Sequence, residues 1–218
     1  MFETLKSAFR VKEMRRKLLY LLAMIFIIRI GSQLPIPGVD SSVFKQWFKS
    51  NTGDAFNFFD AFTGGSFEEM SIFALNITPY ITSSIIIQLL TIAIPALEEM
   101  QKDGEDGRKK ITAITRFLTI GLAILESAGL AINFGRKGFM DSYNFWTVLT
   151  MIVILTGGSA FVMWLGERVT DRGVGNGISI ILLINIVSTM PNDFKNIYTQ
   201  FIKGKDPVRM CLIALLAM

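Results

Sequence analysis

Residues 77–94 form an apolar run long enough to cross a bilayer, yet its first half, Asn76-Ile77-Thr78-Pro79-Tyr80-Ile81-Thr82-Ser83-Ser84-Ile85, is studded with small polar side chains and a proline. Directly before it lies a second apolar piece, 56–73, rich in phenylalanine but broken by Gly64-Gly65 and Glu68-Glu69. Irregular backbone at membrane depth is tolerated only where it is buried in protein or lines a wet cavity, so this pairing points to a transport path rather than a simple anchor. A helix over 77–94 reaches about 27 Å, close to the ~30 Å hydrocarbon core. On that arithmetic 56–73 cannot also span in series. It is expected to fold back into a cavity or against one side of the membrane, the alternative being an amphipathic helix lying on the lipid surface. Asn76 is the expected N-cap of the 77–94 helix, with Pro79 in its first turn, where proline is tolerated.

Similar runs recur at 18–34, 111–133, 143–165 and 174–190, and another begins at 208 and is still apolar at Met218. With 51% hydrophobic and only 18% charged residues, the chain is poor in charge for a soluble domain. The expected fold class is an all-α polytopic membrane protein with five transmembrane helices plus the start of a sixth, the first half of a longer protein. Its expected divisions are a basic N-terminal segment (1–17), a helical bundle (18–190), an external loop (191–207) and the start of the sixth helix (208–218). The basic start could mimic a signal peptide, but the run after it is long and Ser32-Gln33-Leu34-Pro35 is no small-residue cleavage site, so it reads as a retained first span. Phe2, Leu5 and Phe9 among basic residues suggest either an interfacial helix on an anionic leaflet or a frayed tail.

Thirteen of the 22 Lys and Arg residues fall in segments that are cytosolic if the N-terminus is inside, against eight in the opposite segments; this places the N-terminus inside. Arg29 lies within the first span, separated by four residues from the Leu34-Pro35-Ile36-Pro37 break. It reads first as snorkelling to the interface, and second as a residue with a carboxylate or carbonyl partner inside the bundle.

The chain has no histidine, and Cys211 is its only cysteine. A Cys/His zinc site, an intrachain disulfide and a histidine general base are therefore excluded, and neither a metal, a cofactor nor a catalytic residue is expected. Half of an inverted-repeat secondary transporter is the main alternative to a channel. It would need a coupled intramembrane charge set, and only Arg29 and Glu126 are ionisable well inside the expected spans. An intramembrane enzyme and a pure assembly scaffold are further rivals.

Ile81 and Ile85 share a helix face, and Ile178 and Leu182 repeat the spacing. Such branched side chains either line a narrow apolar constriction or face lipid and bundle core. Two charged stretches, 98–110 and 167–177, read as solvated cytosolic loops able to dock an acidic partner. Their glycines do not fit a phosphate-cradling pattern.

Four stretches then carry a specific resemblance: Arg29-Ile30-Gly31 with Pro35-Ile36-Pro37-Gly38; residues 71–91; Gly107-Arg108-Lys109-Lys110; and Trp164-Leu165-Gly166-Glu167 through Ile181. In this order they resemble the SecY family, the central subunits of bacterial protein-translocation channels. The resemblance implies ten helices in two inverted halves, of which this chain holds the first and the beginning of helix six. It implies a plug over 56–73, including Phe62, Gly64, Gly65 and Phe67, and a pore ring to which Ile81, Ile85, Ile178 and Leu182 contribute, Leu182 departing from the commoner Ile. The spans 77–94 and 111–133 would form one side of a lateral gate. Arg108, Lys109 and Lys110 would lie in a loop that docks the ribosome or the SecA motor. The implied function is passage of unfolded secretory polypeptides across, and apolar segments into, the cytoplasmic membrane of a bacterium, with no enzymatic step. The implied partners are the SecE and SecG subunits, SecA, the ribosome, signal sequences, membrane lipids and the remaining C-terminal half.

Overall fold

Each expected span within the described residues becomes a helix, and the seams between helices are built from small side chains. The computed structural model describes residues 11–51, 60–140 and 142–202. Helix α1 is Lys12–Gly31, α2 Ser41–Asn51, α3 Thr78–Ala93, α4 Pro95–Lys102, α5 Glu105–Arg136, α6 Phe145–Arg172 and α7 Gly177–Ile202. No strand occurs among the described residues; two isolated bridges, Pro35 with Ser71 and Val39 with Met140, tie loops together. The interfacial N-terminal helix and the start of the sixth span fall outside the described residues.

Helices α5 and α6 are each long and apolar enough to cross a membrane. The pair α3 and α4 meets the same test only together, bent by 103° at their junction, and the apolar part of α7 runs from Gly177 to Pro191. Proline at the start of α4 accounts for the bend, since Pro95 cannot donate to the preceding turn. Along α5 the buried positions Thr115, Thr119, Ala123, Ser127 and Ala131 recur every fourth residue. This small-residue face allows close approach of its neighbours. Ser127 Oγ and Thr156 Oγ1 meet across the α5–α6 seam at 3.1 Å, while Thr119 Oγ1 donates back to the Thr115 carbonyl at 2.7 Å. The opposite face is greasy and open: Phe117 is 78% exposed and Leu125 70%, as a lipid-facing surface requires.

Two elements differ from the sequence reading. Helix α2 was not expected. Asp40 starts it, its carboxylate accepting from the Ser42 hydroxyl (2.6 Å) and from the backbone N–H groups of Ser42 and Val43. Those donors, the Ser42 hydroxyl first, hold the Asp40 carboxyl below its ordinary pKa. Helix α7 continues beyond the expected end at Met190, through Pro191 to Ile202, so the first residues of the expected external loop are helical.

The sequence has 77–94 crossing the membrane nearly alone; in the structure α3 meets the spanning test only together with α4, and it starts partway along the bundle. Ser159 Oγ donates to the Asn76 carbonyl at 2.9 Å, and a Cβ on Gly158 would meet the Ile72 carbonyl. Gly158 and Ser159 lie halfway along the 28-residue α6. Helix α3 therefore begins level with the middle of α6 and, at 16 residues and about 24 Å, runs from there toward one end of the bundle only. Nor is Asn76 the N-cap. Ile77 occupies that position, and Asn76 adopts a left-handed backbone, φ +48, which asparagine tolerates, while its Nδ2 donates to the Thr63 carbonyl.

Residues 60–77 fill the depth that α3 leaves free. They are folded into the bundle, which removes the surface-helix alternative for this stretch; residues 56–59 lie outside the described set. Thr63, Ser66, Phe67, Met70, Ser71, Phe73, Leu75 and Ile77 are all buried. Successive turns satisfy the backbone, among them Gly65 N to Asp60 O, Ser71 N to Ser66 O and Ala74 N to Ser71 O, as burial demands. The segment is stitched to the chain after α1 by Ile36 N to Met70 O and Ile72 N to Leu34 O, both 2.9 Å. Phe67 enters an aromatic cluster around Phe44, meeting it edge-on at 5.7 Å, with Phe134 and Phe139 beside it. Lys45 of α2 pairs with Glu69 at 2.6 Å.

Candidate functional site

The first three turns of α3 and the first two of α7 face one another across an open groove of about 340 Å³. Its lining is Tyr80, Ile81, Ser84, Ile85 and Gln88 from α3, with Asn176, Ile178, Ser179 and Leu182 from α7 and its cap. All four aliphatic residues singled out in the sequence thus come together on one surface. Ile81, Ile178 and Leu182 are half-buried, and Ile85 is 52% exposed.

Local sequence explains how they are placed. Asn176 caps α7, its Oδ1 accepting from Ile178 N (3.1 Å) and Ser179 N (3.4 Å). Gly166 on α6 lacks the Cβ that would press on Ile178 at 3.1 Å, and Gly177 lacks the one that would strike the Gly166 carbonyl. These two glycines let α7 start tight against α6. On α3, Ser83 turns inward and donates to the Pro79 carbonyl at 2.7 Å, leaving Ile81 and Ile85 on the groove side. The polar liners Tyr80, Ser84, Gln88 and Ser179 were given no place in the lining from sequence, where Ser84 was read as a small residue for close helix packing. Tyr80, Ser84 and Gln88 recur every fourth residue along α3, and Ser179 follows Ile178 on α7, so the same helical spacing could have found them.

The segment 60–77 leads directly into the first groove residue. Within it Phe67 is buried and Phe62 half-buried. Gly64 and Gly65 take left-handed backbones, φ +70 and +82, which glycine adopts without strain. The Gly64 carbonyl accepts from Arg29 Nη1 at 3.2 Å, and Arg29 Nη2 donates to the Ile184 carbonyl (2.9 Å) and to Asn185 Oδ1 (3.2 Å). Arg29 therefore turns into the bundle instead of snorkelling outward, and its acceptors among the described residues are carbonyl oxygens.

Arg108, Lys109 and Lys110 do not lie in a loop. They form the second turn of α5, exposed, with Lys109 near Asp106 at 3.4 Å. The helix starts early because α4 folds back on it, the Met100 carbonyl lying where a Cβ of Gly107 would be. Arg116, counted from sequence only as a cytosolic charge and lying about two turns further along α5, joins α5 to α6 through Glu167 (2.7 Å) beside Tyr80. No group of metal-ligating side chains occurs among the described residues.

The chain is a helical membrane bundle whose helix α3 begins level with the middle of α6, behind a folded-in segment and beside an aliphatic groove. Comparison of the sequence gives the particular family: residues 71–218 match the SecY family model, and the chain belongs to that family. It is 44% identical over 214 residues to the protein translocase subunit SecY of Streptomyces scabiei, covering 92% of this chain and 48% of that protein. To the subunit of Escherichia coli K12 it is 44% identical over 183 residues, 82% of this chain and 41% of that one. The Buchnera aphidicola subunit is 45% identical over 183 residues, with 82% and 51% covered. The chain spans about half the length of the curated relatives it matches.

Proposed function

We propose that this chain forms one wall of a protein-conducting channel that passes unfolded polypeptides across the cytoplasmic membrane of a bacterium and releases apolar segments sideways into lipid. The observation that carries the reading is the convergence of Ile81, Ile85, Ile178 and Leu182 on one groove, with 60–77 folded in at its head. A polypeptide crossing bare hydrocarbon meets a penalty of roughly 2.5–3.5 kcal/mol per charge at mid-depth. A wet funnel removes that penalty, and a narrow aliphatic collar limits ion leak around the passenger. On this reading 56–73 is the plug, and α3 and α5 supply one side of the lateral gate. The N-terminus is cytosolic, and five helices of a ten-helix inverted repeat are present, the rest coming from a C-terminal half. No bond is made or broken, so no catalytic residue is invoked. The partners that follow are SecE, SecG, the SecA motor, the ribosome, signal sequences and membrane lipids.

A photo-crosslinking amino acid at Ile85 in the complete protein will capture a polypeptide arrested in transit, whereas one at Phe117 on the lipid-facing surface of α5 will capture it far less. Equal capture at both positions would refute the conduit. Replacing Arg108, Lys109 and Lys110 together by glutamate will weaken binding of the cytosolic partners at least tenfold, about 1.4 kcal/mol, because three exposed cations on one helical turn become repulsive toward RNA or an acidic protein. Co-sedimentation with ribosomes and with SecA measures this, and unchanged binding of both removes the docking role.

A further inference from the structure

We propose that Arg29 is the positioning residue that clamps the 60–77 segment in its seat: one guanidinium joins the Gly64 carbonyl in that segment to Ile184 and Asn185 on α7. The inference rests on reading this segment as the plug, and names what holds it closed.

Three observations converge on the clamp. The planar fork of arginine is needed, because its two terminal nitrogens point to different elements, Nη1 to the turn at Gly64 and Nη2 to α7; a lysine ammonium offers one point of charge. Gly64 is shaped for the contact. Its left-handed backbone turns the carbonyl toward Arg29, and a Cβ there would press within 3.0 Å of Arg29 Nη1 and 3.1 Å of the Asn185 backbone. Asn185, buried to 1% exposure, presents its side-chain oxygen in the middle of an otherwise aliphatic stretch of α7. Neighbouring packing aligns α1 with the segment: the Phe73 ring occupies the space a Cβ of Gly31 would need, and Phe73 stacks on Phe161 at 5.9 Å.

The acceptors are neutral. A buried arginine–carboxylate pair resists separation because each charge is stranded when the other leaves. Carbonyl acceptors hold the cation with charge-assisted hydrogen bonds and leave no stranded anion. The clamp is firm while the segment is seated and releasable when the site is wetted by a passenger, since water then replaces the Gly64 carbonyl.

The test uses the complete protein in membranes, with Ser66→Cys as the reporter in the buried segment and Ala131→Cys as the reporter in the buried face of α5. A water-soluble maleimide is applied to both faces. In Arg29→Leu the cysteine at 66 will react at least tenfold faster than in the parent, the one at 131 at the parent rate, and Arg29→Lys will fall between. Unchanged protection at 66, or equal acceleration at 66 and 131, overturns the clamp. Should Arg29→Leu fail to accumulate, Gly64→Ala and Asn185→Leu, which disturb the contact while keeping the cation, will each accelerate labelling at 66 alone; protection at 66 in both overturns the proposal. Labelling is independent of transport. If 66 is released while ion conductance is unchanged, the clamp stands and the plug reading falls.

Discussion

Serine in place of both Ile81 and Ile85 will raise the resting ion conductance of the complete protein in a planar bilayer at least tenfold, a barrier lowered by about 1.4 kcal/mol. The two side chains lie one turn apart on the same wall of the groove, opposite Ile178 and Leu182. An apolar constriction excludes ions by failing to hold water. Two hydroxyls on one wall give water a foothold, and the neighbouring Ser84 and Gln88 extend it into a continuous polar strip. Leucine at the same two positions keeps the wall apolar and will leave the conductance near that of the parent. Parent-like conductance in the serine protein would show that the groove does not seal the membrane.

The second large effect is steric. Gly158→Leu will destabilise the bundle by about 3 kcal/mol, at the upper end of overpacking penalties, read as a lowered midpoint of thermal or denaturant unfolding in detergent. The new Cβ would run into the Ile72 carbonyl, and that carbonyl cannot retreat because Ile72 N is bound to Leu34 O at 2.9 Å. The adjacent glycine supplies the control. A Cβ at Gly157 meets nothing within 4 Å, so Gly157→Ala will be neutral or will stabilise α6 by up to about 1 kcal/mol through helix propensity. Equal tolerance of the two changes would mean that residues 72–76 do not sit against α6.

These two sites show what could and could not be read from the chain. Hydrophobic runs of spanning length located the helices, and the four-residue spacing of Ile81 with Ile85 and of Ile178 with Leu182 picked residues that the fold brings onto one groove. Depth was the quantity that periodicity could not supply. Nothing in residues 77–94 alone says that their helix begins at the level of Ser159 rather than at a membrane surface, because that level is set by a hydrogen bond 83 residues away in sequence. For Arg29 the sequence put snorkelling first and a carbonyl partner inside the bundle second, and the structure has the second. Its distance from Pro35 favoured escape to the interface, while the acceptors that draw it inward, at Gly64 and Ile184, are 35 and 155 residues distant. Helix α2 was legible in principle: Asp40 before Ser41-Ser42, then Phe44, Trp47 and Phe48 at helical spacing, is a capped amphipathic pattern. At 11 residues it is too short to stand out among runs of spanning length.

The groove has one further property that bears on speed. None of its nine lining residues is Asp, Glu, Lys or Arg. A fixed charge there would hold an opposite charge at about 4 Å with roughly 4 kcal/mol at an effective dielectric of 20, which lengthens a dwell about a thousandfold. On the proposed channel reading this wall contains no such trap, so acidic and basic stretches of a passing chain meet the same low friction along it.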